Sequence, residues 1–204
     1  MTAKSPVLHI LAGPNGAGKT TLYEARVGRM ANAPFVNADQ LSLETLGRHA
    51  ETRAEAELGQ SLANARRDEL MAAAESLVTE STFSHPSKLE LIRRAKALGY
   101  RVFVYHVNVM TPEAAVARVA ARQAMGGQPV PEAKIRGRYE RNQPLIRDAV
   151  RMADLAFVFD NTSFGMPPRR LITFVDGRAK DVVSDLPAWA ATLYADDISG
   201  SAGP

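Results

Sequence analysis

A glycine-rich loop near the start of the chain constrains its fold more than any other feature. Gly13, Gly18, Lys19 and Thr20 fit the phosphate-loop pattern of a glycine, four residues, then Gly-Lys-Ser or Gly-Lys-Thr. An apolar run at 7–11 precedes the loop and a helical pattern follows it, which is the context that this pattern requires. Backbone N–H groups of such a loop, with the positive end of the helix, attract phosphate oxygens. The sequence therefore predicts a site for a nucleoside triphosphate.

The residues of this loop have separate predicted roles. Lys19 can reach the β- and γ-phosphates and is assigned a catalytic role, and the Thr20 hydroxyl is placed to bind Mg²⁺. ATP or GTP, with Mg²⁺, is the expected cofactor. The predicted nucleotide-binding residues of the loop are Gly13, Pro14, Asn15, Gly16, Ala17, Gly18, Lys19, Thr20 and Thr21.

Length and composition exclude several classes of protein. The 204 residues suit one α/β domain, which we expect at 1–195, followed by a small, polar tail at 196–204 that we expect to be disordered. No cysteine is present, which excludes disulfides, thiolate metal sites and a cysteine nucleophile. We find no apolar run of membrane-spanning length and no signal peptide, so we expect a cytoplasmic protein without membrane contact. The net charge of +3 does not require a nucleic-acid partner.

Strand-like and helix-like segments alternate along the chain, which indicates a parallel sheet with helices on both faces. The fold class that we predict is α/β: a P-loop NTPase fold whose short, mainly parallel sheet has five or six strands, with a helical arginine lid. Predicted strands lie at 7–11, 35–39, 76–82, 101–109 and 154–160, followed by a small hairpin at 171–175 and 182–183. Predicted helices lie at 18–30, 86–98, 112–125 and 132–152, with two more between 41 and 71 that divide near Thr52, and one from 185.

Polar residues follow the second and third predicted strands, at the edge of a parallel sheet where ligands bind. Asp39 is the candidate general base; its alternative role is to cap a helix that begins near Leu41. Glu80 is a second carboxylate for substrate or metal-bound water, and pairing with an arginine is its alternative. Thr82 and His85 follow Glu80 and are further substrate-binding candidates.

Cationic side chains flank the loop at 126–131, which resembles a hinge. Arginines folded over a triphosphate can neutralise transition-state charge and exclude water, although a solvated helix face is the usual setting for arginine. We assign catalytic roles to Arg122 and Arg138, which lie near the hinge, and a nucleotide-binding role to Arg118. The other cations of this region are Lys134, Arg136 and Arg141.

Four segments together resemble the zeta toxin family of P-loop kinases, in particular its short, stand-alone members. They are Leu-Ala-Gly-Pro-Asn-Gly-Ala-Gly-Lys-Thr-Thr at 11–21, Phe-Val-Asn-Ala-Asp at 35–39, Val-Thr-Glu-Ser-Thr-Phe at 78–83, and Gly-Gly-Gln-Pro-Val-Pro-Glu-Ala-Lys-Ile-Arg-Gly-Arg-Tyr-Glu-Arg at 126–141. The resemblance covers roughly residues 7–162. Its first segment is generic among P-loop proteins, whereas the last is much more particular to this family.

This resemblance implies a kinase that uses ATP or GTP with Mg²⁺. The best-studied members phosphorylate a hydroxyl on the amino sugar of UDP-N-acetylglucosamine, and an epsilon antitoxin holds them in check. Carried over by motif, Asp39 matches the aspartate that activates the hydroxyl, while Glu80 and Thr82 match a Glu-x-Thr element that contacts the sugar. Lys19 and Thr20 match the nucleotide and metal residues, and the arginines between 118 and 138 match the lid arginines.

The chain also departs from the family pattern. It is shorter than the large toxins, it has Glu-Ser-Thr where Glu-Gly-Thr is more usual, and 41–75 matches no motif. Alternatives therefore stay open: a kinase for another hydroxyl, such as that of a nucleoside or an antibiotic, or a nucleotide-dependent switch that signals through a partner. A nucleic-acid binder is disfavoured because no recognisable nucleic-acid module accompanies the basic charge.

Overall fold

Helices and strands alternate along the chain in the computed structural model, which describes residues 5–199. Within these residues, no helix is both long and apolar enough to cross a membrane. The strands are β1 (Val7–Ala12), β2 (Phe35–Val36), β3 (Leu77–Ser81), β4 (Arg101–Asn108), β5 (Leu155–Asp160), β6 (Arg169–Val175) and β7 (Arg178–Val182). The helices are α1 (Lys19–Leu22), a π-helical turn (Tyr23–Val27), α2 (Gly28–Ala31), α3 (Ala38–Leu46), α4 (Arg53–Ala72), α5 (Ser87–Ala97), α6 (Pro112–Ala124), α7 (Glu132–Met152), α8 (Ala188–Leu193) and α9 (Ala195–Ser199).

The described strands form one sheet in the order β2-β3-β1-β4-β5-β6-β7. The first five are parallel, as predicted, and β6 and β7 are antiparallel. The sheet thus has seven strands, and the expected number of five or six is wrong. The predicted small hairpin is longer than its apolar pattern suggested, and β6 pairs with β5 along its length, which adds two strands to the edge of the sheet.

The central strand β1 is buried on both faces, which explains its unbroken apolar sequence. Side chains alternate across a strand, so Leu8 and Ile10 pack into one core with residues of α4, α5 and α7. Leu11 packs into the core on the opposite face, with Leu22 and Val27 of the first helical segment. The sheet therefore lies between two helical layers, and the carboxyl ends of its parallel strands meet at one edge.

The second strand ends three residues earlier than predicted, because Asn37 begins a helix. The Asn37 Oδ1 atom accepts hydrogen bonds from the backbone N–H groups of Asp39, at 2.9 Å, and Gln40, at 3.3 Å. Asn37 is therefore the N-cap of α3, and the alternative in which Asp39 caps this helix is wrong. Asp39 instead lies in the first turn of α3, with its carboxylate free for another role.

The end of the described chain is helical where we expected disorder. Residues 195–199 form α9, and Asp196 and Asp197 pair with arginines of α7. The prediction of a disordered tail is thus wrong for 196–199, because these aspartates find cationic partners that are distant in sequence. Residues 200–204 lie outside the described residues, and the assignment of 1–195 to a single domain stays a prediction.

Candidate active site

The phosphate loop joins β1 to α1 and lies against the ends of β4 and β5. A Cβ atom at Gly13 would lie 2.1 Å from the Val107 carbonyl oxygen, so only glycine fits there. Gly18 is the N-cap of α1 with φ of 89°, a left-handed conformation that favours glycine, and its Cβ would lie 2.1 Å from Asn161 Nδ2. The same Nδ2 donates a hydrogen bond to the Ala17 carbonyl oxygen at 2.8 Å. The backbone is thereby held in the tight path that phosphate binding requires.

The Lys19 side chain spans this loop and is only 6% exposed. Its Nζ atom donates to the carbonyl oxygens of Gly13 and Pro14, at 3.0 and 3.1 Å. It also lies 3.5 Å from Glu80 Oε1. A fixed positive charge is therefore present inside the loop, where phosphate oxygens would bind.

Glu80 connects the phosphate loop to the second strand. It lies on β3 next to Leu11 of β1, and its Oε2 atom accepts hydrogen bonds from Thr20 Oγ1 at 3.2 Å and Asn37 Nδ2 at 3.4 Å. The alternative prediction, in which Glu80 pairs with an arginine, is wrong because the ionic partner of Glu80 is Lys19.

The oxygen atoms at and near Thr20 fit the ligand requirements of a Mg²⁺ ion of the kind that accompanies nucleotides. Residues 5–199 contain no cluster of three or more His, Cys, Asp or Glu side chains able to hold a metal ion by themselves. Mg²⁺ commonly takes one or two protein oxygen ligands and completes its shell with water and substrate phosphates. The hydroxyl of Thr20 and the carboxylate of Glu80, 3.2 Å apart, match that requirement.

Asp39 lies in the same cavity as Glu80 but in different surroundings. Although Asp39 is exposed to solvent, the pKa of its carboxyl is raised above the ordinary value, first by desolvation and then by the charge of Glu80. Lys19, Arg122 and Arg138 act in the opposite direction on this pKa. The structure thus brings both predicted carboxylates and two of the predicted arginines within electrostatic reach of one another.

The three assigned arginines take up different positions. Arg138 of α7 donates to the Asn15 side chain at 2.9 Å, which places its guanidinium over the phosphate loop. Desolvation is the first cause of its lowered pKa, followed by the charge of Arg141. Arg122 of α6 is exposed and donates to the Gln128 carbonyl oxygen at 3.3 Å, within the hinge loop.

Arg118 lies on the side of the loop where β5 ends, away from the carboxylates. It donates to the Thr162 carbonyl oxygen at 3.2 Å, and Asp160 partly offsets the lowering of its pKa by desolvation. Its Nη1 atom would be 3.9 Å from a Cβ at Gly18. This position suits contact with the nucleotide better than contact with an acceptor.

A cavity of about 370 Å³ opens beside the phosphate loop and contains both carboxylates. Thr82 lines it, with its hydroxyl 3.4 Å from Ser84 Oγ. His85 does not line it; the imidazole instead accepts a hydrogen bond from the Ser87 backbone N–H at the start of α5. The polar and charged side chains of the lining are Asn15, Asn37, Asp39, Gln60, Arg67, Thr79, Glu80, Ser81, Thr82, Ser84, Lys88, Gln128, Lys134 and Arg138.

Sequence reasoning missed the residues that α4 and α5 contribute to this cavity. Arg67 of α4 is 7% exposed and falls on the same buried stripe as Gly59, Ala63 and Leu70. An arginine on the apolar face of a helix is a signal that the spacing alone contains. Lys88 of α5 has no comparable signal, because a single lysine in a helical sequence most often lies on the exposed face.

Two kinds of comparison place the chain among known proteins. The family model described as Zeta toxin matches residues 1–163, which is most of the chain. No protein of curated function matches the sequence. The AvrRxo1-ORF1:AvrRxo1-ORF2 structures with sulphate ions and with ATP both give a TM-score of 0.69 at 18% identity, and the match covers 96% of this chain. This chain spans 64% of the matched AvrRxo1 chain, less than two thirds of its length.

A structure of the PezAT chromosomal toxin–antitoxin system of Streptococcus pneumoniae gives a TM-score of 0.60 at 13% identity. The match covers 97% of this chain and 80% of that one. A shikimate kinase from Acinetobacter baumannii gives 0.50 at 19% identity, covering 78% and 84%. At these low identities the TM-scores show a shared fold, that of P-loop kinases. Together with the family match over 163 residues, they show that the chain belongs to the zeta toxin family.

Proposed function

We propose that this protein is an ATP-dependent small-molecule kinase that transfers the γ-phosphoryl group to a hydroxyl of a nucleotide sugar resembling UDP-N-acetylglucosamine. One observation carries the proposal: the cavity that contains Asp39 opens directly beside Lys19, Thr20 and Glu80 of the phosphate-loop region. A nucleotide in the loop and an acceptor in the cavity would meet there. A nucleotide-dependent switch needs no second substrate cavity with a carboxylate in it.

In this mechanism Asp39 accepts the proton of the acceptor hydroxyl as its oxygen attacks the γ-phosphorus, and ADP leaves. Desolvation raises the pKa of Asp39 above its ordinary value, and an ionised carboxylate with a higher pKa is a better base. Lys19 and Arg138 approach the transferring group from the loop and from the lid, where their charges offset the charge of the transition state. Arg122 contributes charge from the hinge.

Mg²⁺, held by Thr20 and Glu80, would neutralise charge on the β- and γ-phosphates. Glu80 then acts through the metal as well as through the acceptor, the two roles that the sequence left open for it. Thr82 lines the acceptor side of the cavity, and Arg118 contacts the nucleotide. His85 does not line the cavity and therefore contacts neither the nucleotide nor the acceptor in this mechanism.

We also propose that a small antitoxin protein regulates this kinase inside the cell. The PezAT structure is described as part of a toxin–antitoxin system, and AvrRxo1-ORF1 is described in complex with AvrRxo1-ORF2 and with ATP. Those descriptions concern relatives of the same fold. For this chain they support a search for an encoded protein partner that binds it and lowers its activity.

The experiment that tests the kinase proposal incubates the protein with radiolabelled ATP, Mg²⁺ and UDP-N-acetylglucosamine. We expect labelled sugar nucleotide with the wild-type protein, and a loss of transfer of about 10³-fold in Asp39→Asn with ATP binding retained, because the variant lacks the base. Asp181→Asn, at an exposed position of β7, is the matched control and keeps full activity.

Other results would change the assignment in defined ways. Full transfer by Asp39→Asn would remove Asp39 as the base, and turnover by Lys19→Ala would show that the loop is not the catalytic nucleotide site. ATP binding without a labelled sugar nucleotide would exclude this acceptor. A metabolite extract searched by mass for species that gain phosphate would then test nucleoside and antibiotic acceptors.

A further inference from the structure

Arg67 is a buried cation to which no carboxylate is bonded within the described residues. Its Nη1 atom donates to Thr79 Oγ1 at 3.2 Å, and its Nη2 atom donates to the Asn64 side chain. Both acceptors are neutral. Desolvation lowers the pKa of Arg67, and the charge of Asp68 offsets this only in part. Asp68 is itself paired with Arg94 at 2.7 Å.

Lys88 brings a second cation to the same cavity wall. Its pKa is lowered first by desolvation and then by the charge of Arg67, so the two cations are close enough to repel each other. Across residues 5–199, Lys88 is in none of the ion pairs, and its side chain makes no hydrogen bond in the structure. Two positive charges thus face one enclosed space without a negative partner.

The folded protein gains little from this arrangement alone. Taking a charge out of water without an opposite charge is unfavourable, and two adjacent cations add repulsion. Arg67 does connect α4 to β3 through Thr79, whose hydroxyl donates to the Val36 carbonyl oxygen at 3.0 Å. A neutral side chain of similar length could make that connection, so it does not explain a second cation at Lys88.

The two carboxylates of the cavity do not neutralise this pair. Glu80 is committed to Lys19, Thr20 and Asn37, and the charges that lower the pKa of Asp39 are those of Lys19, Arg122 and Arg138. Arg67 and Lys88 appear in neither set. The cavity therefore has a cationic wall formed by α4 and α5 that is separate from the catalytic charges.

We propose that Arg67 and Lys88 bind an oxyanion, a phosphate or a carboxylate, on the molecule that accepts the phosphoryl group. The planar guanidinium can bind two oxygens of such a group at once, and the ammonium provides a point charge beside it. The proposal rests on the proposed kinase function, since it describes the acceptor of the same reaction. It makes this protein selective for anionic acceptors and excludes neutral sugars and nucleosides.

Binding is measured by calorimetry with the phosphate loop filled by a non-hydrolysable ATP analogue and Mg²⁺, so that added anions reach only the cavity. The probes are pyrophosphate for the phosphate source and malonate for the carboxylate source. We expect one of them to bind, and we expect Lys88→Gln to weaken it roughly tenfold, because one charged hydrogen bond is lost. Lys180→Gln, at an exposed site on β7, leaves binding unchanged.

The Arg67→Lys variant keeps the charge and loses the planar fork, so we expect weaker anion binding with an unchanged melting temperature. If neither anion binds the loaded protein, or if Lys88→Gln and Lys180→Gln behave alike, the proposal is wrong. Transfer to UDP-N-acetylglucosamine is assayed alongside: an effect of Lys88→Gln on KM and not on kcat supports the subsite. Anion binding without transfer would reject that acceptor and keep the subsite.

Discussion

Two carboxylates share one cavity, and their neighbours give them different chemical roles. Glu80 has a lysine ammonium at 3.5 Å and accepts hydrogen bonds from Thr20 and Asn37. Asp39 experiences desolvation and the charge of Glu80, which both raise its pKa. At the scale of single residues, a carboxylate held by Lys19, Thr20 and Asn37 and suited to a metal ion therefore lies beside a carboxylate with a raised pKa that suits proton transfer.

The pKa of Asp39 is predicted to respond in opposite directions to two substitutions. Glu80→Gln removes a negative charge and lowers it, whereas Arg138→Met removes a positive charge and raises it. Because the proposed base acts when ionised, we expect the acid limb of the proposed transfer reaction to move to lower pH in the first variant and to higher pH in the second. Carbon-13 NMR titration of the Asp39 carboxyl measures both pKa shifts directly and does not depend on an activity assay.

The control for this titration is Glu113→Gln, since Glu113 is an exposed residue whose partner is Arg136. It leaves the pKa of Asp39 unchanged. Shifts of the same sign in Glu80→Gln and Arg138→Met would contradict the electrostatic account of the site.

Helix caps set the positions of the elements that carry the cavity. Asn37 begins α3 and thereby positions Asp39, while Thr52 begins α4 and thereby positions the cavity wall. Thr52 Oγ1 accepts from the Glu55 backbone N–H at 3.2 Å, and Glu55 Oε2 accepts from the Thr52 backbone N–H at 3.0 Å. These reciprocal bonds form a capping box at the point where the sequence predicted that the two helices divide.

Removal of this cap is predicted to weaken the fold. Thr52→Ala loses the side-chain acceptor at the start of α4, which costs about 1 kcal/mol in the free energy of unfolding. Urea denaturation measures the change. Thr45→Ala is the matched control, because the exposed Thr45 hydroxyl donates its hydrogen bond to the Leu41 carbonyl oxygen, within the same helix. An equal loss in both variants would show that the cap contributes nothing specific.

The cap also has a pH dependence with a definite sign. Hydrogen bonds from Arg48 first, and then from the Glu51 and Thr52 backbone N–H groups, lower the pKa of Glu55 to about 2. A lowered pKa means that the cap stabilises the protein above the ordinary pKa of glutamate and loses this effect as the pH falls toward 2. The stability difference between wild type and Glu55→Gln, from urea denaturation across pH 2–7, is expected to shrink as the pH falls.

Over the whole molecule, contacts distant in sequence attach the last helices to the body of the fold. Tyr194, fully buried between α8 and α9, lies with its hydroxyl 2.7 Å from Nδ1 of His106 in β4. Burial lowers the pKa of this imidazole to about 3, so it stays neutral near neutral pH. Asp197 of α9 is 7% exposed and accepts from Arg147 and Arg151 of α7, each at 2.6 Å.

Loss of the Asp197 charge is predicted to destabilise the whole molecule. Asp197→Asn removes the anion from two charged hydrogen bonds that are partly open to solvent, and we expect the free energy of unfolding to fall by about 1 kcal/mol. Asp148→Asn, on an exposed position of α7, is the control with no expected effect. Urea denaturation at low and high salt measures both variants, and the effect shrinks as salt screens the pairs. Equal stability of the two variants would show that α9 does not contribute.

The family and the parallel part of the sheet could be predicted from sequence because their signals are local. The phosphate loop lies within one turn between a strand and a helix, and the spacing of its glycines already specifies its backbone path. Asp39 and Glu80 were predicted to meet because parallel strands present their carboxyl ends at one edge. The structure places both beside the loop, as that rule requires.

The residues that the sequence could not assign depend on packing between distant segments. Which arginine lies over the loop was decided by the contact of Arg138 with Asn15, 123 positions away, and the pattern of charges along α6 and α7 does not specify it. Side-chain direction and burial emerge only when helices pack, so Lys88, which has no signal in the sequence, became a candidate only once α4 and α5 lined the cavity. The sequence alone determined the nucleotide loop and the fold class. The tertiary structure decided the partner of Glu80, the position of the lid arginines and the charge of the cavity beside the phosphate loop, because these depend on long-range packing.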